Sequence, residues 1–285
     1  MTFEEVVGIY LSAKNHRSKQ RDLYSLKRLQ PHFGGKSVIG LKRLDVRRYV
    51  AQRVADGVCE STVKRELKLF SAAINFVRVE YDHPELANPV QQLRLDGGEH
   101  RVRWISRGEA ALLISAAEDY ARRPHLPNFV RLALNTGCRK TEMLGLEWNR
   151  VDFERAVFRL EPEHTKGGKR RLIPLNEMAL SALRDQREWV RSRSPGSPWV
   201  FPSPWVAGRT RTLQKGFASA CDRAGIDNFR IHDLRHTFAS WLVMDGVSLY
   251  VVKDLLGHSS ITVTERYAHL SPDQGRAAVQ SLLPF

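Results

Sequence analysis

Residues 151–175 read VDFERAVFRLEPEHTKGGKRRLIPL, and apolar and polar residues alternate in two runs of this stretch, VDFERAVFRL and RRLIPL. Alternation with a period of two is typical of strands that bury one face. The Gly-Gly pair in HTKGGK suits a tight turn because glycine tolerates a positive φ. The stretch therefore predicts a small hairpin or three-stranded antiparallel sheet.

The segments on both sides of this sheet carry helical patterns. SRGEAALLISAAEDY opens with a capping box, Ser106 with Glu109, and NFVRLALNTG is an apolar helix that ends at Gly137. From Asn176 onward the sequence predicts helices, interrupted by PGSPWVFPSPW. The predicted fold class is mainly α with a small antiparallel β-sheet in the C-terminal domain, an α+β architecture.

The first 95 residues are predicted to be all-helical. FEEVVGIYL has helical spacing, LDVRRYVAQRVADG is a helix closed by Gly57, and STVKRELKLFSAAINFVRVEY opens with a Ser-Thr cap. The segment HPELANPVQQLRLDGGEHR has two prolines and no sustained period, which indicates a domain boundary. We predict a helical domain over residues 1–95, a linker over 96–103 and a second domain over 104–285.

Composition bounds the function. The chain has 285 residues with 45 Lys and Arg against 31 Asp and Glu, and its formal net charge of +14 suggests a polyanionic partner such as nucleic acid. No apolar run is long enough for a membrane span, and the acidic N-terminus is unlike a secretory signal, so a cytoplasmic location is expected. Three scattered cysteines indicate reduced thiols, with neither a disulfide framework nor a zinc knuckle.

Positive charge is densest in the N-terminal third, where residues 1–95 carry 17 basic and 10 acidic side chains. One cluster contains Lys14, Arg17, Lys19 and Arg21, and the candidate DNA contacts come from two further clusters, namely Lys42, Arg43, Arg47, Lys64, Arg65 and Lys68. Solvated helix faces would explain any one cluster equally well. Several clusters in one small domain favour contacts with the phosphates of a DNA backbone.

Four stretches concentrate polar residues: LNTGCRKTEMLGL (134–146), HTKGGKRRLIPL (164–175), RIHDLRHTFAS (230–240) and LLGHSSITVTERY (255–267). Taken alone, each has a structural explanation. Arg139 and Glu142 would form a helix-surface ion pair, and an exposed turn lysine such as Lys166 usually only adds charge. His232 and His236 have the spacing of a zinc pair, but no Glu follows His232 as a metalloprotease motif requires, so no metal is expected.

Together and in this order, these motifs resemble the signature of the tyrosine recombinases, the phage integrase family. The shared elements are T-G-x-R with a carboxylate three residues on, a Lys in a strand turn, H-x-x-R, L-G-H, and a Tyr nine residues after that His. The resemblance spans about residues 104–270, and the basic first domain is similar to the family's helical core-binding (SAM-like) domain. It implies two domains that clamp DNA, and no cofactor.

The resemblance implies a role for each matching residue. The catalytic set and its supporting carboxylate are Arg139, Lys166, His232, Arg235, His258, Tyr267 and Glu142. Tyr267 would be the nucleophile, His232 its proton acceptor, and His258 a contact to the phosphate. His269, two residues beyond the tyrosine, matches no role.

Lys166 would protonate the leaving 5′ oxygen, although Lys169, Arg170 and Arg171 follow closely and compete for that role. The residue types suit phosphoryl transfer without a metal, because two guanidinium groups can bind the non-bridging oxygens as negative charge builds on them. Roughly one free tyrosine in a thousand is ionised at pH 7, so neighbouring Arg and His groups have to ease the loss of its proton.

The implied activity is site-specific recombination, in which DNA is cleaved and rejoined through a covalent 3′-phosphotyrosine without ATP. An integrase of a prophage or mobile element is favoured. The alternatives are a chromosome-dimer-resolving recombinase, a type IB topoisomerase that only relaxes strands, and a DNA-binding protein whose site has decayed.

The implied partner is double-stranded DNA that carries recombination sites, bound by a homotetramer on two sites, with accessory DNA-bending proteins as a further class of partner. Residues 272–285 end in a short apolar helix, which is expected either to pack on its own domain or to dock on a neighbouring subunit. The DNA target and the direction of recombination do not follow from the sequence.

Overall fold

The computed structural model describes residues 1–14, 19–96, 101–119, 125–165, 168–271 and 279–280. The chain divides into two units, Met1–His100 and Arg101–Phe285, and the division falls inside the predicted linker at residues 96–103. Lys166 of the predicted site, Arg17 of the first basic cluster and residues 272–285, apart from 279 and 280, lie outside the described residues.

The described residues of the N-terminal unit form four α-helices. They are α1 (Phe3–Ala13), α2 (Lys19–Phe33), α3 (Arg43–Ala55) and α4 (Glu60–Glu80), with a 3₁₀ turn at Val38–Gly40. α1 starts at a capping box in which the Thr2 hydroxyl accepts from the Glu5 N–H and the Glu5 carboxylate accepts from the Thr2 N–H. Gly57 follows α3 with a φ of +79°, as expected for the residue that closes it.

The helix α4 begins earlier than the sequence predicts. Its N-cap is Cys59, whose carbonyl accepts from the N–H groups of Thr62 and Val63, so Ser61 and Thr62 lie inside the first turn instead of capping it. The predicted apolar stripe of α4 is fully buried, and it consists of Leu67, Phe70, Ile74 and Val77. The prediction of the helix was therefore right, and the prediction of its cap was wrong.

A buried polar contact joins the two helices that carry the candidate DNA contacts. The Glu66 carboxylate on α4 accepts hydrogen bonds from the Tyr49 hydroxyl at 2.5 Å and from the Arg53 guanidinium at 2.8 Å, both on α3. Because all three groups are satisfied together, this contact fixes α3 against α4 without leaving an unpaired buried charge.

The described residues of the C-terminal unit form seven α-helices and one sheet. The elements are α5 (Arg107–Glu118), α6 (Leu126–Thr136), α7 (Lys140–Leu144), β1 (Val151–Asp152), β2 (Val157–Leu160), β3 (Arg171–Pro174), α8 (Glu177–Arg193), α9 (Gln214–Arg223), α10 (Asp233–Met244) and α11 (Leu249–Leu256). Short 3₁₀ segments lie at Trp148–Arg150, Pro162–His164, Ile261–Val263 and Glu265–Leu270. The predicted capping box of Ser106 and Glu109 starts α5.

The sheet has the order β1-β2-β3 and is antiparallel throughout. Phe158 pairs with Ile173 in the register of β2 and β3, and both side chains are buried, whereas Arg159 and Leu172 on the opposite face are exposed. The prediction of a mainly α fold with one small antiparallel sheet is confirmed.

The helix α6 is the centre of the C-terminal core. It packs against α5, α8 and α10 and buries Leu126, Phe129, Val130 and Leu132 completely. α6 ends at the threonine of T-G-x-R, α10 begins inside H-x-x-R, and α11 ends at the leucine of L-G-H. Three helix ends thus carry three of the motifs. Within the described ranges, no helix is long and apolar enough to cross a membrane.

Candidate functional site

Arg139 and Glu142 lie at the start of α7. The Glu142 carboxylate accepts hydrogen bonds from the backbone N–H and from Nη1 of Arg139, each at 2.8 Å. The Glu142 side chain is only 1% exposed and that of Arg139 is 24% exposed, so the carboxylate is buried, unlike that of the surface ion pair that the spacing alone allowed. A buried carboxylate with both oxygens bonded holds the guanidinium in one orientation.

A second guanidinium, from Arg171 on β3, approaches the same carboxylate. Its Nη1 lies 3.7 Å from Glu142 Oε1, and its Nη2 donates to the Leu255 carbonyl on α11 at 2.6 Å. A guanidinium stays charged at physiological pH and is a poor proton donor. These contacts favour a positioning role for Arg171, which ties β3 and α11 to α7, over the general-acid role for which it competed with Lys166.

Arg235 on α10 is almost fully buried and connects two helix ends. Its Nη1 donates to the Gly137 carbonyl after α6 at 2.8 Å, and its Nη2 donates to the Leu256 carbonyl of α11 at 2.7 Å. The last carbonyls of a helix have no partner within the helix, so a guanidinium satisfies them well. Burial, followed by the charge of Arg139, lowers the pKa of Arg235 to about 10, which leaves it charged at pH 7.

The glycines of T-G-x-R and L-G-H are required by this packing. Gly137 and Gly257 have φ angles of +60° and +64°. A Cβ on Gly137 would lie 2.3 Å from the Phe238 ring, and a Cβ on Gly257 would lie 2.6 Å from the Arg171 guanidinium. Each glycine therefore meets two demands, a left-handed backbone and a close approach to a neighbouring side chain.

We expect Gly137→Ala to lower the free energy of unfolding by roughly 2–5 kcal/mol, from a left-handed φ with a Cβ (~1–2) and an overpacked contact (~1–3). Gly225→Ala is the matched control, because Gly225 has a φ of +66° and nothing within 4 Å of an added Cβ. It should show only the first contribution. Urea unfolding followed by circular dichroism measures both, and equal losses would contradict the packing explanation.

Two histidines lie one turn apart at the start of α10. His232 is exposed and His236 is buried, and their ring centroids are 5.1 Å apart. Desolvation, followed by the positive charge of Arg235, lowers the pKa of His232. Desolvation, followed by the electrostatic effect of the His232 ring, lowers the pKa of His236 to about 4. Both are neutral at pH 7. The described residues contain no group of three or more His, Cys, Asp or Glu arranged to hold a metal.

His258 follows the glycine that ends α11. Its Nδ1 lies 2.9 Å from the hydroxyl of Thr264, which is fully buried. Desolvation and the charges of Arg235 and Arg139 lower the pKa of His258 to about 3, so this ring is also neutral at pH 7. The bond to Thr264 fixes the ring orientation and leaves Nε2 as its other polar atom.

Tyr267 lies in the 3₁₀ segment Glu265–Leu270, which packs against α10, and is 1% exposed. Its hydroxyl is 2.5 Å from Nδ1 of His236. Burial raises the pKa of Tyr267 to about 12, so the phenol is protonated at pH 7. The expected proton acceptor was His232, yet the histidine in contact with the phenol oxygen is His236.

Five of the six predicted catalytic residues lie in the described part of the chain, and their side chains form one cluster. The charges of Arg139 and Arg235 act on His232 and on His258, and the charge of Arg235 acts on Tyr267. The cluster combines two cations, two neutral imidazoles and a protonated phenol, groups that can stabilise negative charge and supply an oxygen nucleophile.

The sequence model that describes the phage integrase family matches residues 103–274 of this chain. Tyrosine recombinase XerD of Rhizobium meliloti (strain 1021) is 30% identical over 255 residues, which cover 85% of this chain and 80% of that protein. The chain belongs to the phage integrase family of tyrosine recombinases. The integrase of Salmonella phage P22 is 37% identical over 179 residues, which cover 61% of this chain and 45% of that integrase.

Solved structures agree on the fold of this tyrosine recombinase. The Tn1549 transposon integrase in complex with circular intermediate DNA superposes with a TM-score of 0.80 at 19% identity, over 98% of this chain and 99% of that one. A lambda integrase dimer bound to a COC′ core site gives 0.74 at 19% identity, over 97% and 79%. The predicted family and the predicted enzyme class, a DNA strand-transferase, are confirmed.

Three residues of the recombinase site were not assigned a role from the sequence. His236 was considered only as half of a zinc pair, and Thr264 was not considered. The charge of Arg266 lowers the pKa of the three site histidines and partly offsets the rise that burial causes in the pKa of Tyr267. Adjacency to the tyrosine was a signal for Arg266. The other two contacts depend on how the segment around Tyr267 folds back onto α10.

The turn that carries Lys166 is described only at its two sides. The Thr165 hydroxyl accepts from the Lys169 N–H at 3.1 Å and donates to the Lys169 carbonyl at 3.0 Å. These bonds join Thr165 to Lys169, the described residues on either side. Lys166 itself lies outside the described residues and stays a candidate for the general acid.

The six candidate DNA contacts are all exposed on the N-terminal unit. Arg43 and Arg47 line a surface groove between α3 and residues 92–95. Lys64, Arg65 and Lys68 line a second groove between α2 and α4. Lys42 is the N-cap residue of α3 and directly precedes Arg43 in the sequence. The two predicted clusters thus occupy separate grooves of one helical unit.

Proposed function

We propose that this protein is a site-specific integrase that cleaves and rejoins DNA through a covalent 3′-phosphotyrosine at Tyr267. The cluster of Arg139, Arg235, His258 and Tyr267 within one unit is the observation that carries the proposal. The similarity to the phage P22 integrase supports an integrase. The similarity to tyrosine recombinase XerD over 80% of that protein supports a recombinase, for which chromosome-dimer resolution is the second candidate.

The two guanidinium groups would bind the non-bridging oxygens of the scissile phosphate. Arg139 donates a hydrogen bond to Glu142, and Arg235 donates to the backbone carbonyls of Gly137 and Leu256. The two guanidinium groups therefore need little reorganisation when charge develops on the phosphate. His258, with its Nδ1 occupied by Thr264, would present Nε2 to the same phosphate.

The reaction would proceed by in-line displacement. The Tyr267 oxygen forms a bond to phosphorus and gives up its proton, while the bond from phosphorus to the 5′ oxygen breaks and that oxygen takes a proton from a general acid, for which we propose Lys166. The products are a 3′-phosphotyrosine and a free 5′-hydroxyl. Attack by the 5′-hydroxyl of a partner strand reverses the step and joins the DNA.

We further propose that double-stranded DNA is held by the basic residues of the N-terminal unit. Lys42, Arg43, Arg47, Lys64, Arg65 and Lys68 would contact phosphates, which gives affinity that falls steeply with salt and carries little sequence information. Four copies on two recombination sites, linked through residues 272–285, would complete the assembly. Deletion of residues 272–285 should then abolish strand exchange.

The test of the proposed function uses a tiled panel of nicked duplexes drawn from the DNA that flanks the coding sequence. A duplex that contains the site should yield a protein–DNA adduct that survives denaturing electrophoresis. The absence of an adduct from the whole panel would contradict the proposal. Formation of recombinant products from two duplexes separates a recombinase from a topoisomerase, which would only relax supercoils.

Lys166→Ala should cleave an intact phosphodiester at least about 100-fold more slowly and recover on a substrate whose 5′ oxygen is replaced by sulfur, because a thiolate leaves without protonation. The measurement is the rate of adduct formation on the two substrates. Lys169→Ala is the matched control and should lose little on either. If Lys169→Ala, and not Lys166→Ala, is slow on the normal substrate and regains its rate on the sulfur-containing substrate, the general acid is Lys169.

A further inference from the structure

We propose that His236 takes the proton of Tyr267 during attack, so that the stretch HDLRH supplies two histidines with different tasks. The inference rests on the proposed function, because it requires Tyr267 to be the nucleophile. In this assignment His236 is the general base, and the exposed His232 is left to contact the bound DNA.

The contact geometry is that of a proton-transfer pair. The Tyr267 oxygen lies 2.5 Å from His236 Nδ1, with ring centroids 5.8 Å apart and the ring planes inclined at 48°. A neutral imidazole has one acceptor nitrogen, so a hydroxyl that donates to Nδ1 requires the ring proton on Nε2. No movement of either side chain is needed before the proton can pass.

Burial makes His236 the base that is available to the phenol. Tyr267 is 1% exposed and His236 is 8% exposed, so both partners of this contact are buried residues. Tyr267 lies in a buried cluster with Ala239, Val252 and Leu256, and its 3₁₀ segment packs on α10, the helix that carries His236. His232 lies one turn earlier and keeps its ring exposed.

Electrostatics keeps the pair at rest until phosphate is attacked. Burial raises the pKa of the phenol to about 12 and lowers that of the imidazole to about 4, so the proton stays on the phenol oxygen in the resting site. The phenol oxygen loses its basicity as it bonds to phosphorus, and the incoming phosphate charge favours an imidazolium nearby. The proton therefore moves with bond formation and not before it.

Every atom and charge in this step has a destination. The O–H bond of Tyr267 breaks, an N–H bond forms at His236 Nδ1, the oxygen bonds to phosphorus, and the 5′ oxygen leaves with the proton of the general acid. In the joining step the 5′ oxygen of the partner strand bonds to phosphorus and returns its proton to the general acid. The bond from phosphorus to the Tyr267 oxygen breaks, and that oxygen recovers its proton from the His236 imidazolium. The histidine is neutral again after each full cycle.

The experiment measures single-turnover adduct formation on the nicked duplex that wild type cleaves, with sulfur in place of the 5′ oxygen so that the general acid is not needed. We expect His236→Ala and His236→Asn to be at least about 100-fold slower than wild type. Added imidazole should restore His236→Ala at least about tenfold and leave His236→Asn slow. His269→Ala, a change at an exposed histidine two residues beyond the tyrosine, is the control and should match wild type.

His236→Asn keeps an acceptor at the position of Nδ1 but cannot hold a proton, and it separates the alternatives. If His236→Asn forms the adduct at the wild-type rate, His236 only orients the phenol. If His236→Ala is as fast as wild type or faster, His236 only restrains the Tyr267 side chain. Either result overturns the inference. If His236→Ala fails to fold, His236→Asn still decides. A wild-type protein without a Tyr267-dependent adduct would instead refute the proposed function.

Discussion

Tyr267→Phe is expected to bind the nicked duplex as wild type does and to form no covalent adduct with it. The substitution removes the single oxygen that would bond to phosphorus, and the phenyl ring fills the same buried space. The fold should survive, because the change leaves one unpaired acceptor on His236, a cost of about 1–3 kcal/mol. Denaturing electrophoresis of the reaction measures the adduct, and filter binding measures the affinity.

Tyr49→Phe is the matched control for that loss. Tyr49 is equally buried, and its hydroxyl also makes a 2.5 Å hydrogen bond, to Glu66 in the N-terminal unit. The control loses a comparable contact but should still form the adduct. An adduct with Tyr267→Phe would assign the nucleophile elsewhere, and the exposed Tyr250 on α11 would be the next residue to substitute.

Glu142→Ala is expected to lower the free energy of unfolding by about 3–5 kcal/mol, because it leaves buried charge without its partner. Glu142 is the carboxylate between Arg139 and Arg171, and the charges of both arginines also act on Arg235. Without it, repulsion should push the Arg139 guanidinium away from the phosphate position, so adduct formation should fall with stability. Chemical unfolding and the adduct assay measure the two effects.

Glu188→Ala is the control with the same local spacing. Glu188 and Arg191 form an i, i+3 pair at 3.8 Å on α8, and their side chains are 77% and 71% exposed. An exposed pair of this kind contributes about 0–1 kcal/mol. Similar losses of stability for Glu142→Ala and Glu188→Ala would show that the Glu142 carboxylate does not stabilise the fold by neutralising Arg139 and Arg171.

Most of the fold follows from local patterns. The alternation in VDFERAVFRL and RRLIPL predicted the strands, and the capping box at Ser106 and the glycine at 137 predicted the ends of α5 and α6. The cap of α4 was misplaced because Cys59 takes a position that usually favours Ser or Thr. A weak N-cap is not visible in a pattern, whereas the backbone hydrogen bonds of the first turn show it.

The motifs also identified most of the site, since their order and spacing are typical of one family. The roles of Arg171 and His236 were out of reach, because each depends on a contact between distant parts of the chain. Arg171 meets Leu255 across 84 residues, and His236 meets Tyr267 across 31. No spacing rule connects such pairs.

The sequence by itself determined the family and the mainly helical fold with its one small sheet, and it predicted two arginines and a tyrosine as residues of the site. These follow from local periodicity and from motifs a few residues long. The tertiary structure decided which carboxylate is buried between which guanidinium groups, why a Cβ is crowded at Gly137 and Gly257, and which histidine contacts the phenol. The reason is physical, because burial, pKa and hydrogen-bond partners depend on what the fold brings within a few ångströms.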